Sequence, residues 1–424
     1  MSHSISVIGC GYVGCVTGVC FADMGYRVIL VDVDPRKVDS INEGRSPIYE
    51  PGLEDLIQKN RERIHATMDL RAAIRDTDIT FVAVGTPSNA DGSIDLTYVF
   101  RVCEEVGDIL RGKEGFHIVI IKSTVFPGTT DDRVRHILEY TSGKKAGVEF
   151  GLGSNPEFLR EGNAVHDFLS PDRIVIGADD PRTADTLRAL YASVDSQVLV
   201  TSSRTAEMVK YASNAALATK ISFANEIGNL CKTIGVDSRD VFLGVGMDSR
   251  VSPAFFKTGI GFGGSCFPKD VRALVAGARA HGEDLNILDA VLKTNEAQPL
   301  RLLSLLQKHL STLEGRTIGV LGLAFKPDTD DIRESRALPV VTSLLSSGAR
   351  VIAYDPAAMD NFKQVFPQII YAPSASEVLE ADAVLILTEW KEFEDLDYHG
   401  RIVIDGRRLE APRRQAAIYE GVCW

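Results

Sequence analysis

Ser4-Ile5-Ser6-Val7-Ile8-Gly9-Cys10-Gly11-Tyr12-Val13-Gly14 opens the chain, and Arg27-Val28-Ile29-Leu30-Val31-Asp32 follows shortly after. A β-branched run, a glycine turn, an apolar stretch through Phe21 to Gly25, a second β-branched run and an acidic residue read as strand, turn, helix, strand. The three glycines serve different ends. One permits a tight turn, one lets backbone approach a pyrophosphate, and one lets helix and strand pack closely. The helix N-terminus then offers its positive dipole end to phosphates. Asp32 lies eighteen residues past Gly14, where a carboxylate can accept both hydroxyls of a ribose. It also repels a 2′-phosphate, so the pattern predicts NAD rather than NADP. The turn residues Gly9, Gly11, Tyr12, Val13 and Gly14, with Asp32, are the first cofactor candidates; a glycine turn holding no ligand is the plain alternative.

Further strand–helix units follow. The run 79–84 ends in Gly85-Thr86-Pro87 and the run 118–121 in Lys122-Ser123-Thr124. Strands that deliver Gly, Thr and Ser at their C-terminal ends suit the ligand edge of an open parallel sheet. Ser142-Gly143-Lys144-Lys145-Ala146-Gly147 reads as an exposed turn, and 151–154 leads into the polar loop Asn155-Pro156-Glu157-Phe158-Leu159-Arg160-Glu161-Gly162. From 205 to 232 Met208, Val209, Ala212, Ala216, Phe223 and Ile227 recur at helical spacing without a proline, and shorter helices are expected at 271–281 and 285–298. After Gly315 strands recur at Thr317–Leu321, Arg350–Tyr354, 383–387 and 402–404, and Asp355 ends the second of them as Asp32 ends Arg27–Val31. The second turn, Gly319-Val320-Leu321-Gly322-Leu323-Ala324-Phe325-Lys326, lacks the full glycine fingerprint. The fold class predicted is α/β, with two Rossmann-like doubly wound parallel-sheet domains joined by a long central helix.

The 424 residues are enough for two to four domains, and 45% hydrophobic with 25% charged residues is an ordinary globular balance. Lys and Arg number 46 against 58 Asp and Glu, a net charge of −12, which argues against nucleic acid or an anionic membrane as main partner. An anionic small molecule needs only local positive charge. No apolar run approaches a membrane span, and residues 1–7 lack the basic-then-apolar layout of a signal peptide. Seven cysteines, an odd number with no CxxC pair, predict reduced thiols, no structural zinc and a cytoplasmic chain.

Gly261-Phe262-Gly263-Gly264-Ser265-Cys266-Phe267-Pro268-Lys269-Asp270 is the most unusual segment. Three glycines bring backbone close to something, and a lysine and a carboxylate lie within four residues of the cysteine. Nearby positive charge favours thiolate, so Cys266 reads as a nucleophile. Cys10, Cys15, Cys20, Cys103 and Cys231 read as small core hydrophobes. Glu207, Lys210 and Asn214 share a helix face, either as groups holding a developing oxyanion or as a solvated face with an ion pair. A dinucleotide site with a cysteine nucleophile suggests one reaction type. Thiolate attack on an aldehyde gives a thiohemiacetal, which loses hydride to NAD and becomes a thioester that water opens to an acid. If the same enzyme makes the aldehyde, an alcohol becomes a carboxylate and two NAD are consumed.

At this point the chain resembles the UDP-glucose/GDP-mannose dehydrogenase family, the nucleotide-sugar 6-dehydrogenases, from Ile5 to about Leu409. The resemblance rests on separated motifs: Val7-Ile8-Gly9-x-Gly11-Tyr12-Val13-Gly14, Glu50-Pro51-Gly52-Leu53, Val84-Gly85-Thr86-Pro87, Lys122-Ser123-Thr124-Val125, the 155–162 loop, Gly263 to Asp270, and Phe325-Lys326 through Arg333-Glu334-Ser335. It implies an NAD domain (1–200), a central helical dimerisation region (201–300) and a C-terminal sugar-nucleotide domain (301–424). By motif match Cys266 is the thiolate, Lys210 and Asn214 hold the oxyanion, Asp270 with Thr124 places or activates water, and Glu157 is a candidate acid/base. The cofactor would also touch Lys37, Thr86, Thr124, Glu161, Lys269 and Arg333. The sugar nucleotide would meet Glu157, Phe158, Leu159, Lys210, Asn214, the loop 255–263 with Phe255, Lys257 and Gly263, and then Lys326 and Arg407. Arg250 matches an arginine that reaches a neighbouring subunit's site, which implies a homodimer or larger homo-oligomer. No metal is implied.

Gly264 to Asp270, Ser170-Pro171-Asp172-Arg173-Ile174-Val175-Ile176-Gly177 and Thr388-Glu389-Trp390-Lys391-Glu392-Phe393 resemble UDP-glucose enzymes. The ending Gly421-Val422-Cys423-Trp424 and the 142–147 stretch resemble GDP-mannose enzymes. UDP-glucose is favoured over GDP-mannose and UDP-N-acetylmannosamine. A binding protein that kept the fold and lost the reaction, and a two-electron hydroxy-acid dehydrogenase, are the readings from other classes.

Overall fold

The computed structural model describes residues 3–424. It forms two compact units, one ending at Ser213 and one beginning at Asn214. The first is built on eight strands: β1 (Ser4–Ile8), β2 (Arg27–Val31), β3 (Ile64–Thr67), β4 (Ile79–Val82), β5 (His117–Ile121), β6 (Phe150–Ser154), β7 (Arg173–Ala178) and β8 (Gln197–Thr201). Their order is β3-β2-β1-β4-β5-β6-β7-β8. The first six run parallel; β7 is antiparallel to β6 and β8 parallel to β7, so this sheet departs from the wholly parallel expectation at one edge.

Strands β4 and β5 are buried along their whole length, as suits mainly apolar central strands covered on both faces; their polar members, Thr80 and His117, bond to each other at 2.7 Å. The order reverses between β1 and β4, which opens a crevice at the carboxyl ends of these strands. The pairs Ile8↔Val31, Ile8↔Val82 and Ile121↔Ser154 bring the ends of five strands level at that edge. Helix α1 (Tyr12–Asp23) buries every residue from Gly14 to Ala22. Phe21 anchors it against Phe81, Phe168 and Tyr191, at ring separations of 5.2, 5.2 and 5.4 Å.

Helix α2 (Ser203–Ile234), 32 residues long, joins the two units. The second unit holds six parallel strands, β9 (Thr317–Leu321), β10 (Arg350–Tyr354), β11 (Ile370–Tyr371), β12 (Ala383–Ile386), β13 (Ile402–Asp405) and β14 (Ile418–Gly421), in the order β11-β10-β9-β12-β13-β14. Helix α3 (Phe267–Ala280) precedes them. The C-terminal end is tied down: Lys232 Nζ donates to the Trp424 carbonyl (2.7 Å), and Trp424 Nε1 donates to the Tyr419 hydroxyl (2.8 Å). Among the described residues no helix is long and apolar enough to cross a membrane, and no group of three or more His, Cys, Asp or Glu side chains could hold a metal ion.

Candidate active site

The three glycines after β1 are not equivalent. Gly9 sits at φ +99°, and a Cβ there would lie 2.8 Å from the Ala83 carbonyl oxygen; one on Gly14 would fall 1.8 Å from the Gly9 carbonyl oxygen. The protein's own packing demands both glycines. Gly11 is the N-cap of α1, with extended backbone and no side-chain cap, and beyond its own local backbone and chain neighbours nothing lies within 4 Å of where its Cβ would be. The first amides of α1 therefore face an open cradle, which fits the pyrophosphate of a dinucleotide. Asp32 is held over this turn: its Oδ2 accepts the Cys10 N–H at 2.6 Å and its Oδ1 the Asp34 N–H at 2.9 Å, with Lys37 Nζ 3.6 Å away. Tyr12 and Val13, half-buried, begin the helix. Thr86 follows β4, Thr124 follows β5 and Glu161 stands in the loop after β6, so all three lie at the carboxyl edge of one sheet.

The loop after β6 carries a buried ion pair. Lys210 Nζ on α2 lies 2.8 Å from Glu157 Oε1, with the side chains 4% and 5% exposed. Glu157 Oε2 accepts the Leu159 N–H at 2.5 Å. Burial alone would raise the Glu157 pKa, but the Lys210 charge and hydrogen bond, the Leu159 amide and the Lys122 charge outweigh it and hold the group below the usual glutamate range. Phe158 packs against two cations, with the Arg173 guanidinium 4.0 Å and the Lys210 ammonium 5.5 Å from its ring centre. The reading of Glu207, Lys210 and Asn214 as a solvated face is wrong: all three are buried, at 2%, 3% and 6% exposure. Glu207 has a different role. Its carboxylate accepts the N–H groups of Gly128 (2.6 Å) and Thr130 (3.0 Å), which fixes the chain leaving the Thr124 loop, and burial pushes its pKa up to about 7.

Two supporting residues carry no role in the sequence reading, although their motifs are conspicuous there. Glu50 reaches the 155–162 loop from over a hundred residues upstream, its two oxygens accepting the Gly162 and Ala164 N–H groups at 2.7 Å each. Lys122, 3% exposed, donates to Asn155 at both its carbonyl (3.2 Å) and its side-chain oxygen (3.0 Å).

In the second unit Cys266 is the N-cap residue of α3 and is half-buried, whereas the other six cysteines are buried. Burial pushes the Cys15, Cys103 and Cys423 thiols up to about 12, and Cys10 and Cys20 higher still, so these are inert packing groups. A thiolate on Cys266 meets the positive end of α3 instead. One turn on, Asp270 is 1% exposed; it accepts from Asn214 Nδ2 at 2.7 Å and from Lys269 Nζ at 2.6 Å. The glycine loop before Cys266 is pressed against the chain: a Cβ on Gly263 would lie 2.3 Å from the Glu334 carbonyl oxygen, and one on Gly264 2.7 Å from the Phe325 ring. Gly264 also donates its N–H to the Arg333 carbonyl at 2.9 Å, which ties the Arg333 segment to this loop. Arg333 itself is held by Asp331 at 2.6 Å.

Lys326 follows β9 and Arg407 follows β13, so both stand at the carboxyl edge of the second sheet, where Arg407 Nε donates to the Leu387 carbonyl at 2.7 Å. Asp355 resembles Asp32 in sequence but not in role. It is fully buried and takes four backbone N–H groups, from Leu323, Ala324, Ala357 and Ala358, and the Trp390 indole N–H, leaving no acceptor for a ribose. Phe255 sits at φ +68° with its ring 6.2 Å from Phe267, while Lys257 is exposed and Arg250 is paired with Asp248 at 2.6 Å on the same loop.

Three family models match in succession: the NAD binding domain (residues 3–195), central domain (204–297) and UDP binding domain (319–412) of the UDP-glucose/GDP-mannose dehydrogenase family. The chain belongs to that family. UDP-glucose 6-dehydrogenase AglM of Haloferax volcanii is 47% identical, with 99% of each chain covered. UDP-glucose 6-dehydrogenase TuaD of Bacillus subtilis is 42% identical over 98% of this chain and 91% of its own. The structure of a UDP-glucose dehydrogenase from Pyrobaculum islandicum superposes with a TM-score of 0.97 at 47% identity, covering 100% of this chain and 98% of that one. The glycine turn and Asp32 fall in the NAD binding match, Cys266 in the central match, and Lys326 and Arg407 in the UDP binding match.

Proposed function

We propose that this protein is a UDP-glucose 6-dehydrogenase: UDP-glucose, two NAD and water give UDP-glucuronate and two NADH. The observation that carries the mechanism is Cys266, the half-buried cysteine at a helix N-terminus with a buried carboxylate one turn along. Bound in the cradle at Gly9, Gly11, Tyr12, Val13 and Gly14, with Asp32, Lys37, Thr86, Thr124, Glu161, Lys269 and Arg333 as further contacts, NAD supplies the hydride acceptor for both oxidations. The C6 hydroxyl gives up its proton toward Glu157, acting directly or through water. The Cys266 thiolate adds to the C6 aldehyde, and Lys210 and Asn214 hold the resulting oxyanion. Oxidation of that adduct leaves a thioester on Cys266. Asp270, with Thr124, positions the water that opens it, and the carboxylate leaves as the thiolate returns.

Sugar-nucleotide contacts are assigned to Phe158, Leu159, Arg250, Phe255, Lys257, Gly263, Lys326 and Arg407. The partition into 1–200, 201–300 and 301–424 follows the same division of labour. A homodimer built on α2 is supported by Phe223, Leu230 and Ile234, which recur on one face and are 49%, 55% and 62% exposed. We place the enzyme in the cytoplasm on its cysteine usage, none of the seven being in a disulfide. UDP-glucose is favoured because the relatives at 42–47% identity carry that name. The test is NADH formation, followed spectrophotometrically, with UDP-glucose, GDP-mannose and UDP-N-acetylmannosamine. UDP-glucose should turn over at least tenfold better than either rival; a GDP-mannose preference would reassign the substrate.

A further inference from the structure

The motif Gly421-Val422-Cys423-Trp424 has no part in the proposed reaction, yet its side chains reach the candidate sugar-nucleotide residues of the second unit. The Trp424 indole N–H donates to the Tyr419 hydroxyl at 2.8 Å, and that hydroxyl donates to Asp405 Oδ2 at 2.9 Å. Asp405, the last residue of β13, is fully buried. Its carboxylate also accepts three backbone N–H groups, Arg407 at 2.7 Å and Arg408 at 2.9 Å on Oδ1 and Leu409 at 2.7 Å on Oδ2. One carboxylate thus holds the turn after β13, and its fourth donor is Tyr419, backed by Trp424.

That turn carries Arg407, whose Nε donates to the Leu387 carbonyl at 2.7 Å and lies 3.3 Å from Glu389. The next residue, Arg408, has its guanidinium 5.3 Å from the Trp424 ring centre and donates to both oxygens of Asp237, at 2.8 and 2.6 Å. The glycine loop abuts the same turn: a Cβ on Gly259 would lie 2.8 Å from the Gly406 carbonyl oxygen. Gln298 Nε2 donates to the Gly259 carbonyl at 2.8 Å and lies 3.4 Å from Cys423 Sγ. Cys423 and Trp424 therefore stand behind both segments assigned above to the sugar nucleotide, the 255–263 loop and the Arg407 turn. The relay is serial. A phenol has one proton to give, and here it goes to Asp405. The indole N–H on the phenol oxygen fixes that direction and strengthens the bond beyond it.

We infer that Trp424 and Tyr419 are positioning residues for the sugar nucleotide: acting through Asp405, they hold the 405–409 turn in the conformation that presents Arg407 to the ligand. This rests on the function proposed above, in which Arg407 touches the sugar nucleotide.

The test uses the full-length protein and three variants. Trp424→Phe removes the indole N–H and keeps an aromatic ring beside Arg408, Tyr419→Phe removes the hydroxyl, and the third variant combines them. Calorimetric titration with UDP-glucose, and separately with NAD, reads binding without turnover. UDP-glucose should bind roughly two- to tenfold more weakly to Tyr419→Phe, and Trp424→Phe should lose no more than that. The double variant should match Tyr419→Phe alone, because the indole acts only through the hydroxyl. In steady state KM for UDP-glucose should rise while kcat and the NAD affinity stay within about twofold of wild type, the pattern of binding lost equally from substrate and transition state. Hydrogen exchange at the 407–409 amides, measured without ligand, should quicken in both single variants. A wild type that binds no UDP-glucose sinks the function proposed above; GDP-mannose and UDP-N-acetylmannosamine then serve as the probes, and the same ratios decide the relay. Unchanged sugar-nucleotide affinity in Tyr419→Phe, additive losses in the double variant, or equal losses for NAD overturn the inference and leave the Trp424–Tyr419–Asp405 chain as a structural tie.

Discussion

Gly11→Ala separates the cofactor cradle from the fold that builds it. Beyond its own local backbone and chain neighbours nothing lies within 4 Å of the added methyl, and Gly11 has φ −80°, which alanine adopts freely. The cost to folding is therefore that of a poorer N-cap, about 0.5–1 kcal/mol. In a chain of this size that lowers the melting temperature by only about 1–2 °C. The cost to binding is of another order. A methyl over the first amides of α1 holds off a pyrophosphate and removes two charge-assisted hydrogen bonds, each about 1.5–3 kcal/mol. The sum, at least about 3 kcal/mol, corresponds to a hundredfold or greater loss of NAD affinity. Calorimetric titration with NAD beside a thermal melt reads both quantities. Gly14→Ala is the contrast, since its methyl would lie 1.8 Å from the Gly9 carbonyl oxygen and should damage the fold itself. Gly11→Ala binding NAD as the wild type does would refute the cradle.

Cys266→Ala should lower steady turnover by several powers of ten while calorimetry still detects NAD and UDP-glucose binding; near-normal acid formation would return the thiol to a packing role. Asp32→Asn keeps an acceptor for the Cys10 amide and removes the charge that repels a 2′-phosphate, so the ratio of kcat/KM with NADP to that with NAD should rise about tenfold or more. His117 is buried with Nε2 2.7 Å from Thr80 Oγ1 and Nδ1 3.1 Å from the Thr77 carbonyl, and burial drives its pKa from 6.5 down to about 3. The folded state then resists a proton that the unfolded chain accepts, so stability present above pH 6.5 is lost as pH falls toward 3, by about 3 kcal/mol at pH 4. Urea unfolding of wild type and His117→Gln at pH 7 and pH 4 should show that difference, and equal acid losses in the two proteins would dismiss His117 as its source.

The local, periodic features were legible in the sequence. Residues 4–8 and 27–31 are strands with the bounds their β-branched runs predict, and the helix expected over 205–232 extends by two residues at each end. The glycine fingerprint marks the turn: Gly14 answers to the Gly9 carbonyl within the same short unit, whereas Gly9 answers to Ala83 beyond β4. Edge strands were harder: β14 reads Ile-Tyr-Glu-Gly and owes its conformation to pairing with β13 rather than to its own composition. Supporting pairs left no local trace at all. Glu50 meets residues 162 and 164, and Lys122 meets 155, through contacts that no periodicity encodes. Asp355 misleads in the opposite direction, since its likeness to Asp32 breaks down only once Trp390 and four amides converge on it.

The most direct test of the central claim is a count. Purified protein with limiting UDP-glucose and excess NAD is run to completion, NADH is read by absorbance and the sugar nucleotides are separated by anion exchange. The account predicts two NADH for each UDP-glucose consumed, with UDP-glucuronate as the product and no free aldehyde accumulating. One NADH per sugar, with an aldehyde or ketone as the product, would contradict it and place the protein among simple two-electron dehydrogenases.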